Sequence, residues 1–156
     1  MMLEQTRQRL AAVRAGTRAL REELPRLTAA AEALELRGDA AAIAALVPRL
    51  RLECRDHFPV AESLARELLG PGVASTVPVL AEQGELGARL ARIERLLGSA
   101  GADSGRDDLW RESVDLVRAL GCHLCRKENG LLPVLDVVAG GGPAPATLPV
   151  AACGRR

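Results

Sequence analysis

The chain has 156 residues, 48% hydrophobic and 26% charged, with 21 basic against 20 acidic side chains and a net charge of +1. That length holds one compact domain with its own core, and the charge balance excludes an electrostatic footprint for nucleic acid or an acidic membrane surface. Phe58 and Trp110 are the only aromatic residues, which also excludes a base-stacking platform and argues against an all-β core.

Alanine, leucine, arginine and glutamate dominate, and all are strong helix formers. The first predicted helix covers about Leu3 to Arg37, with a bend expected at Pro25. Leu10, Val13, Thr17, Leu20, Leu24 and Leu27 form its apolar stripe. Arg37-Gly38-Asp39 ends it, and Asp39 caps the next helix. That second helix covers about Ala40 to Leu69, with Pro48 and Pro59 marking a late start or a kink, and Gly70-Pro71-Gly72 closes it. Ser75 or Thr76 caps the third, which has Pro78 in its first turn and Leu86, Leu90, Ile93 and Leu97 on one stripe. Residues 98–106 read as a polar loop. The fourth helix starts at Asp107 or Asp108 and ends near Val138. From Ala139 the composition is that of a flexible Gly/Pro linker and tail. The expected architecture is all-α: an antiparallel up-down four-helix bundle over residues 1–138, with a flexible tail over 139–156.

No apolar run approaches the ~20 residues of a bilayer span, and MMLEQTRQRL lacks the apolar centre of a secretion signal. A cytoplasmic protein is the expectation, with no membrane partner and no nucleic acid. In that compartment the default state of Cys54, Cys122, Cys125 and Cys153 is the thiol. Lys127 is the single lysine, which coding bias towards arginine would explain.

The two histidines carry the chemistry. Leu50, Cys54, His57, Ala61, Leu64 and Leu68 recur at spacings of three and four, so they share one helix face at ~100° per residue. Leu109, Ser113, Leu116, Leu120 and His123 do the same, continued by Lys127 and Leu131. Both histidines therefore face inward from different helices, where bundles build metal sites. Burying an imidazole is costly unless it is bonded, so a core histidine with no role and a ligand histidine stand about equal on this pattern.

His57-Phe58 followed by Glu62, and His123-Leu-Cys-Arg-Lys-Glu128-Asn-Gly-Leu-Leu-Pro133, resemble the two histidine segments of haemerythrin-like (HHE cation-binding) domains. Val79-Leu80-Ala81-Glu82-Gln83 stands where that family has Leu-x-x-Glu-His. The resemblance covers about residues 1–138. It implies a four-helix bundle with a non-haem iron centre that binds or senses dioxygen, nitric oxide or iron. Carried over by position, it makes His57, His123 and Glu128 the metal ligands and Gln83 the additional ligand. The usual carboxylates are Ala61 and Lys127 here, so the implied site is depleted.

Other readings stay open. A metal-free interaction or regulatory bundle would keep the fold without the site. Cys122 and Cys125 would serve as redox thiols. The two histidines could ligate haem across the bundle. Cys54-x-x-His57 with Cys122-x-x-Cys125 has zinc-like spacing, although Cys122 and Cys125 lie ~100° and ~160° from His123 in helical phase. A homodimer could complete a site. The tail, Leu148-Pro-Val-Ala to Arg155-Arg156, loosely resembles the peptides that dock cargo into encapsulin shells. No catalytic arrangement stands out.

Overall fold

The helix-forming composition is realised throughout. The structure is a computed structural model that describes residues 2–75, 77–99 and 103–148, and it contains no strand among them. Helix α1 spans Met2–Arg37, α2 Ala41–Leu69, the short α3 Pro71–Ala74, α4 Pro78–Ser99 and α5 Asp103–Arg126. A five-residue π-helical segment, Lys127–Leu131, carries α5 without a break into α6, Leu132–Ala139. Helix α1 packs on α2, α5 and α6, while α4 packs on α2 and α5. The result is a helical bundle. No helix among the described residues is long and apolar enough to cross a membrane.

The α1–α2 turn obeys its sequence. Gly38 takes φ +66°, a left-handed conformation that L side chains resist, and its N–H donates to the Leu34 carbonyl at 3.0 Å. The Asp39 carboxylate then accepts the Ala41 N–H at 2.9 Å, which satisfies one open donor of α2. Pro25, Pro48 and Pro59 all lie inside continuous helices, so α2 does not start late. The expected loop over residues 98–106 is largely helix: α4 runs on to Ser99 and α5 begins at Asp103, four residues before Asp107. Ser75 comes directly after α3 and donates to the Gly72 carbonyl, while Thr76 lies outside the described residues.

The core has two apolar clusters. One gathers Leu20, Leu27, Leu50, Phe58, Leu90 and Leu116 with their neighbours. The other gathers Leu10, Val13, Leu64, Val79, Leu131 and Leu135 with theirs. At the changeover between them, each long helix carries a buried polar residue. Thr17 stands between Val13 and Leu20, His57 between Cys54 and Ala61, Gln83 between Val79 and Leu86, and His123 with Lys127 between Leu120 and Leu131. A polar layer thus crosses the interior between the two apolar clusters.

The π segment explains how α5 and α6 keep one face inward. His123, Lys127, Leu131, Leu135 and Ala139 are all buried and recur every four residues. In a regular helix that spacing drifts by ~160° over sixteen residues, and the extra residue of a π bulge removes ~100° of the drift. After Ala139, Gly141 takes φ +90° and the Gly142 N–H returns to the Val137 carbonyl at 2.8 Å. Leu148 rests on the second cluster. Residues 149–156 of the expected flexible tail, with Cys153 and most of the encapsulin-type peptide, lie outside the described residues.

Candidate functional site

The polar layer is the candidate site, and Lys127 is its centre. Lys127 has no exposed surface, and its Nζ lies 2.7 Å from His57 Nε2. An ammonium has only donors, so His57 accepts on Nε2 and carries its own proton on Nδ1. The His57 ring lies directly on α1 at Gly16, where an added Cβ would sit 2.1 Å from Nδ1. Thr17 Oγ1 is 3.4 Å from His57 Nε2, while its hydroxyl donates to the Val13 carbonyl at 2.8 Å. His57 also floors a surface cleft of about 190 Å³ between α1 and α2, which carries Glu53 and Asp56 on its walls.

Phe58 joins the two histidines. Its ring centroid is 6.1 Å from that of His57 and 5.3 Å from that of His123, and Lys127 Nζ lies 5.6 Å from the same centroid. His123 has no exposed surface and neither ring nitrogen has a hydrogen-bond partner among the described residues. The Glu82 carboxylate approaches Nδ1 at 3.4 Å without bonding geometry, and its other oxygen pairs with Arg126. Gln83 is buried with its Nε2 unpartnered. It lines a groove of about 550 Å³ between α2 and α4, together with Cys54, Phe58 and the exposed arms of Arg51 and Arg55.

Burial governs the protonation states. It pushes His57 down to about 4, with the Lys127 charge adding to the effect. It pushes His123 down to about 3, assisted by Lys127 and His57. It pushes Lys127 itself down to about 8, opposed by Cys54. It pushes the Cys54 thiol up to about 12, against the pull of Lys127 and with a push from Glu53. Both imidazoles are neutral at pH 7. The layer holds one net positive charge and no carboxylate pairs with it among the described residues.

Helix phase turned His57 and His123 inward, and both are buried, as is Gln83, the additional ligand that the resemblance implied. Glu128 stands apart from them. It turns to α1 and receives Arg21 through two bonds, Nε at 3.1 Å and Nη2 at 2.6 Å, with about a third of its side chain exposed. Cys122 and Cys125 are half-buried, as their phase away from His123 requires. Cys125 Sγ accepts from Asn129. Glu62 pairs with Arg66 on its own helix. Residue spacing alone does not disclose Lys127 as the partner of His57. Its position four residues after His123, on the inward stripe, is the signal that points to it. The approach of Glu82 to His123 has no signal beyond its place beside Gln83.

The residues present do not fit an iron centre. The nitrogen that would bind it, His57 Nε2, is held by an ammonium, and the carboxylate that would bind it, Glu128, is held by a guanidinium. Among the described residues no group of three or more His, Cys, Asp or Glu side chains is placed to hold a metal ion. No family model, curated protein or solved structure matches the chain.

Proposed function

We propose that this chain is a haemerythrin-like bundle of four long antiparallel helices that works without a metal, the Lys127 ammonium taking the place of the cation. Its role is then that of an interaction or regulatory domain, exerted through its surface and its α2–α4 groove, and not that of a dioxygen or nitric oxide carrier. The antiparallel arrangement draws support from the order of the cross-helix pairs. Arg9 meets Glu67, Thr17 meets His57 and Glu23 meets Arg49, so rising numbers on α1 face falling numbers on α2. Arg89 with Glu112 and Glu82 with Arg126 repeat the pattern between α4 and α5. The family reading rests on the two histidine segments and on the burial of both histidines.

One observation carries the metal-free reading: Lys127 Nζ at 2.7 Å from His57 Nε2. Two unit positive charges 4 Å apart repel by about 4 kcal/mol even at an effective dielectric of 20, and a divalent ion doubles that. The test is anaerobic Fe(II) loading, desalting, and measurement of iron per chain with the absorption spectrum. Wild type is expected to retain no stoichiometric iron, whereas Lys127→Glu, which removes the ammonium and adds a carboxylate, gains affinity. One or two irons per chain in wild type, lost in a His57→Ala/His123→Ala variant, would overturn the reading.

A further inference from the structure

We propose that the groove between α2 and α4 is a binding site for a small apolar monocarboxylate, whose carboxylate is held by Arg55 from one wall and Gln83 from the other. The inference deepens the metal-free reading and rests on it, since Gln83 can serve a ligand only where it does not serve a metal.

The groove exists because α4 presents glycine where a packed helix presents a side chain. Gly84 and Gly87 both line it, and a Cβ built on either meets nothing within 4 Å. Glycine inside a helix costs about 1 kcal/mol against alanine, so the gap is held open at a cost to stability. Its volume of about 550 Å³ falls within the ~300–1,000 Å³ of small-molecule sites. On α2 the lining runs from Arg51 to Glu62, ~16 Å of helix, which leaves a mean cross-section of roughly 35 Å². That admits an aliphatic chain or a flat ring, whereas a partner helix is ~10 Å across and does not enter.

The lining says what enters. Phe58 and Pro59 from α2 and Leu80 and Leu90 from α4 supply apolar walls. Gln83 is 6% exposed, and its Nε2 is buried with no hydrogen-bond partner among the described residues. An unmet buried amide costs about 1–3 kcal/mol, and an acceptor oxygen in the groove relieves it. Arg51 and Arg55 bring positive charge to the α2 rim. Arg51 commits Nη1 to Glu94 and Arg55 commits Nε to Asp56, while each guanidinium carries five N–H donors in all. Glu62, the acidic residue on the lining, takes two bonds from Arg66 on its own helix. The levels agree as well. Gln83 belongs to the layer of His57, and Arg55 stands two residues before His57, an axial offset of ~3 Å. Arg55 and Gln83 thus flank one stretch of groove from its two helices. A carboxylate between them accepts from the amide on one side and the guanidinium on the other, the charge-assisted bond being the stronger. The apolar body then covers Gly84 and Gly87 against Phe58. The inner side of Phe58 packs on both histidines and on Lys127. A bound acid therefore touches the residue that joins the polar layer, as a ligand-responsive regulatory bundle requires.

The test titrates the ¹⁵N-labelled full chain with sodium octanoate, followed by ¹H–¹⁵N NMR. Saturable shifts are expected at the backbone amides of Gly84 and Gly87 and at the side-chain amide of Gln83. Octan-1-ol and octylammonium are expected to bind at least tenfold more weakly. Gln83→Leu should lower octanoate affinity at least fivefold, and Arg51→Gln/Arg55→Gln should erase the preference for octanoate over octan-1-ol. Gly87→Leu fills the groove at a position where helix propensity favours the change, so it should abolish binding with helicity retained by circular dichroism. No saturable shift up to millimolar octanoate, or full affinity in a folded Gly87→Leu, would sink the proposal. Octan-1-ol binding as tightly as octanoate in wild type would overturn the carboxylate recognition. Stoichiometric iron in octanoate-free wild type would instead break the reading beneath it, and iron loading, measured separately, tells the two failures apart.

Discussion

Gly16 shows how one missing methyl shapes the polar layer. Alanine is ordinarily favoured over glycine inside a helix by about 1 kcal/mol, and Gly16 lies well within α1. A Cβ there would meet three atoms of the His57 ring, the nearest at 2.1 Å. The ring cannot simply rotate away, because its Nε2 is engaged by Lys127. Overpacking of this kind costs roughly 1–3 kcal/mol, so Gly16→Ala is expected to destabilise by about 1 kcal/mol net. Gly84 on α4 is the internal control. Nothing lies within 4 Å of a Cβ built on it, and Gly84→Ala is expected to stabilise by up to about 1 kcal/mol. Urea midpoints report both, and a Gly16→Ala/His57→Ala cycle should show strong non-additivity. A stabilising Gly16→Ala would mean that His57 does not press on α1.

At the scale of elements, the α1–α2 pairing contains a second buried charge. Glu23 is only 7% exposed, yet it accepts Arg49 across the interface at 2.7 Å and Arg26 along its own helix at 2.9 Å. Its Oε2 is buried without a partner among the described residues. Removing one partner of a buried pair leaves an uncompensated charge, whereas replacing the pair by apolar groups can be neutral or better. Arg49→Ala is therefore expected to cost about 1–2 kcal/mol, softened by the retained Arg26, and Glu23→Leu/Arg49→Ala to recover most of it. Equal losses in the single and double variants, measured by chemical denaturation, would rule this account out. The pair also marks the boundary of what the sequence discloses. Leu10 through Leu27 on α1, and Leu109 through Leu131 along α5 and the π segment, could be assigned to the core from spacing alone, since phase around a helix is a local property. Which residues meet across two helices depends on their axial stagger, which spacing does not encode. Glu23–Arg49, Arg21–Glu128 and Lys127–His57 were therefore illegible as pairs. The π segment lay between these cases. Its four-residue rhythm from His123 to Ala139 is visible in the sequence, but it looks like helix until the accumulated drift is counted.

For the whole molecule, the polar layer gives stability an unusual dependence on pH, because four buried groups all prefer their neutral side of a titration or resist leaving it. Each unit of difference between folded and unfolded pKa is worth about 1.4 kcal/mol. His57 and His123 bind protons near 6.5 when unfolded but only near 4 and 3 when folded. Below pH 6.5 the unfolded chain therefore holds more protons, and stability falls steadily as pH drops towards 3. From about 6.5 to 8 these groups leave stability flat. Lys127 loses its proton near 8 in the folded protein and near 10.5 in the unfolded chain, so stability climbs above pH 8. Cys54 acts in the opposite direction from 9 upward, because the unfolded thiol ionises there while the buried one holds its proton to about 12. The two nearly cancel between 9 and 10.5, after which Cys54 alone drives stability down. Urea midpoints across about pH 4 to 11 should thus show a steep acid limb worth several kcal/mol, a plateau near neutrality and a further rise to about pH 9. His57→Phe/His123→Leu should flatten the acid limb and leave the alkaline rise, and Lys127→Met should abolish the rise alone. An alkaline rise that survives in Lys127→Met would show that the lysine is not buried as a cation at neutral pH, and the charge at the centre of the bundle would have to be assigned elsewhere.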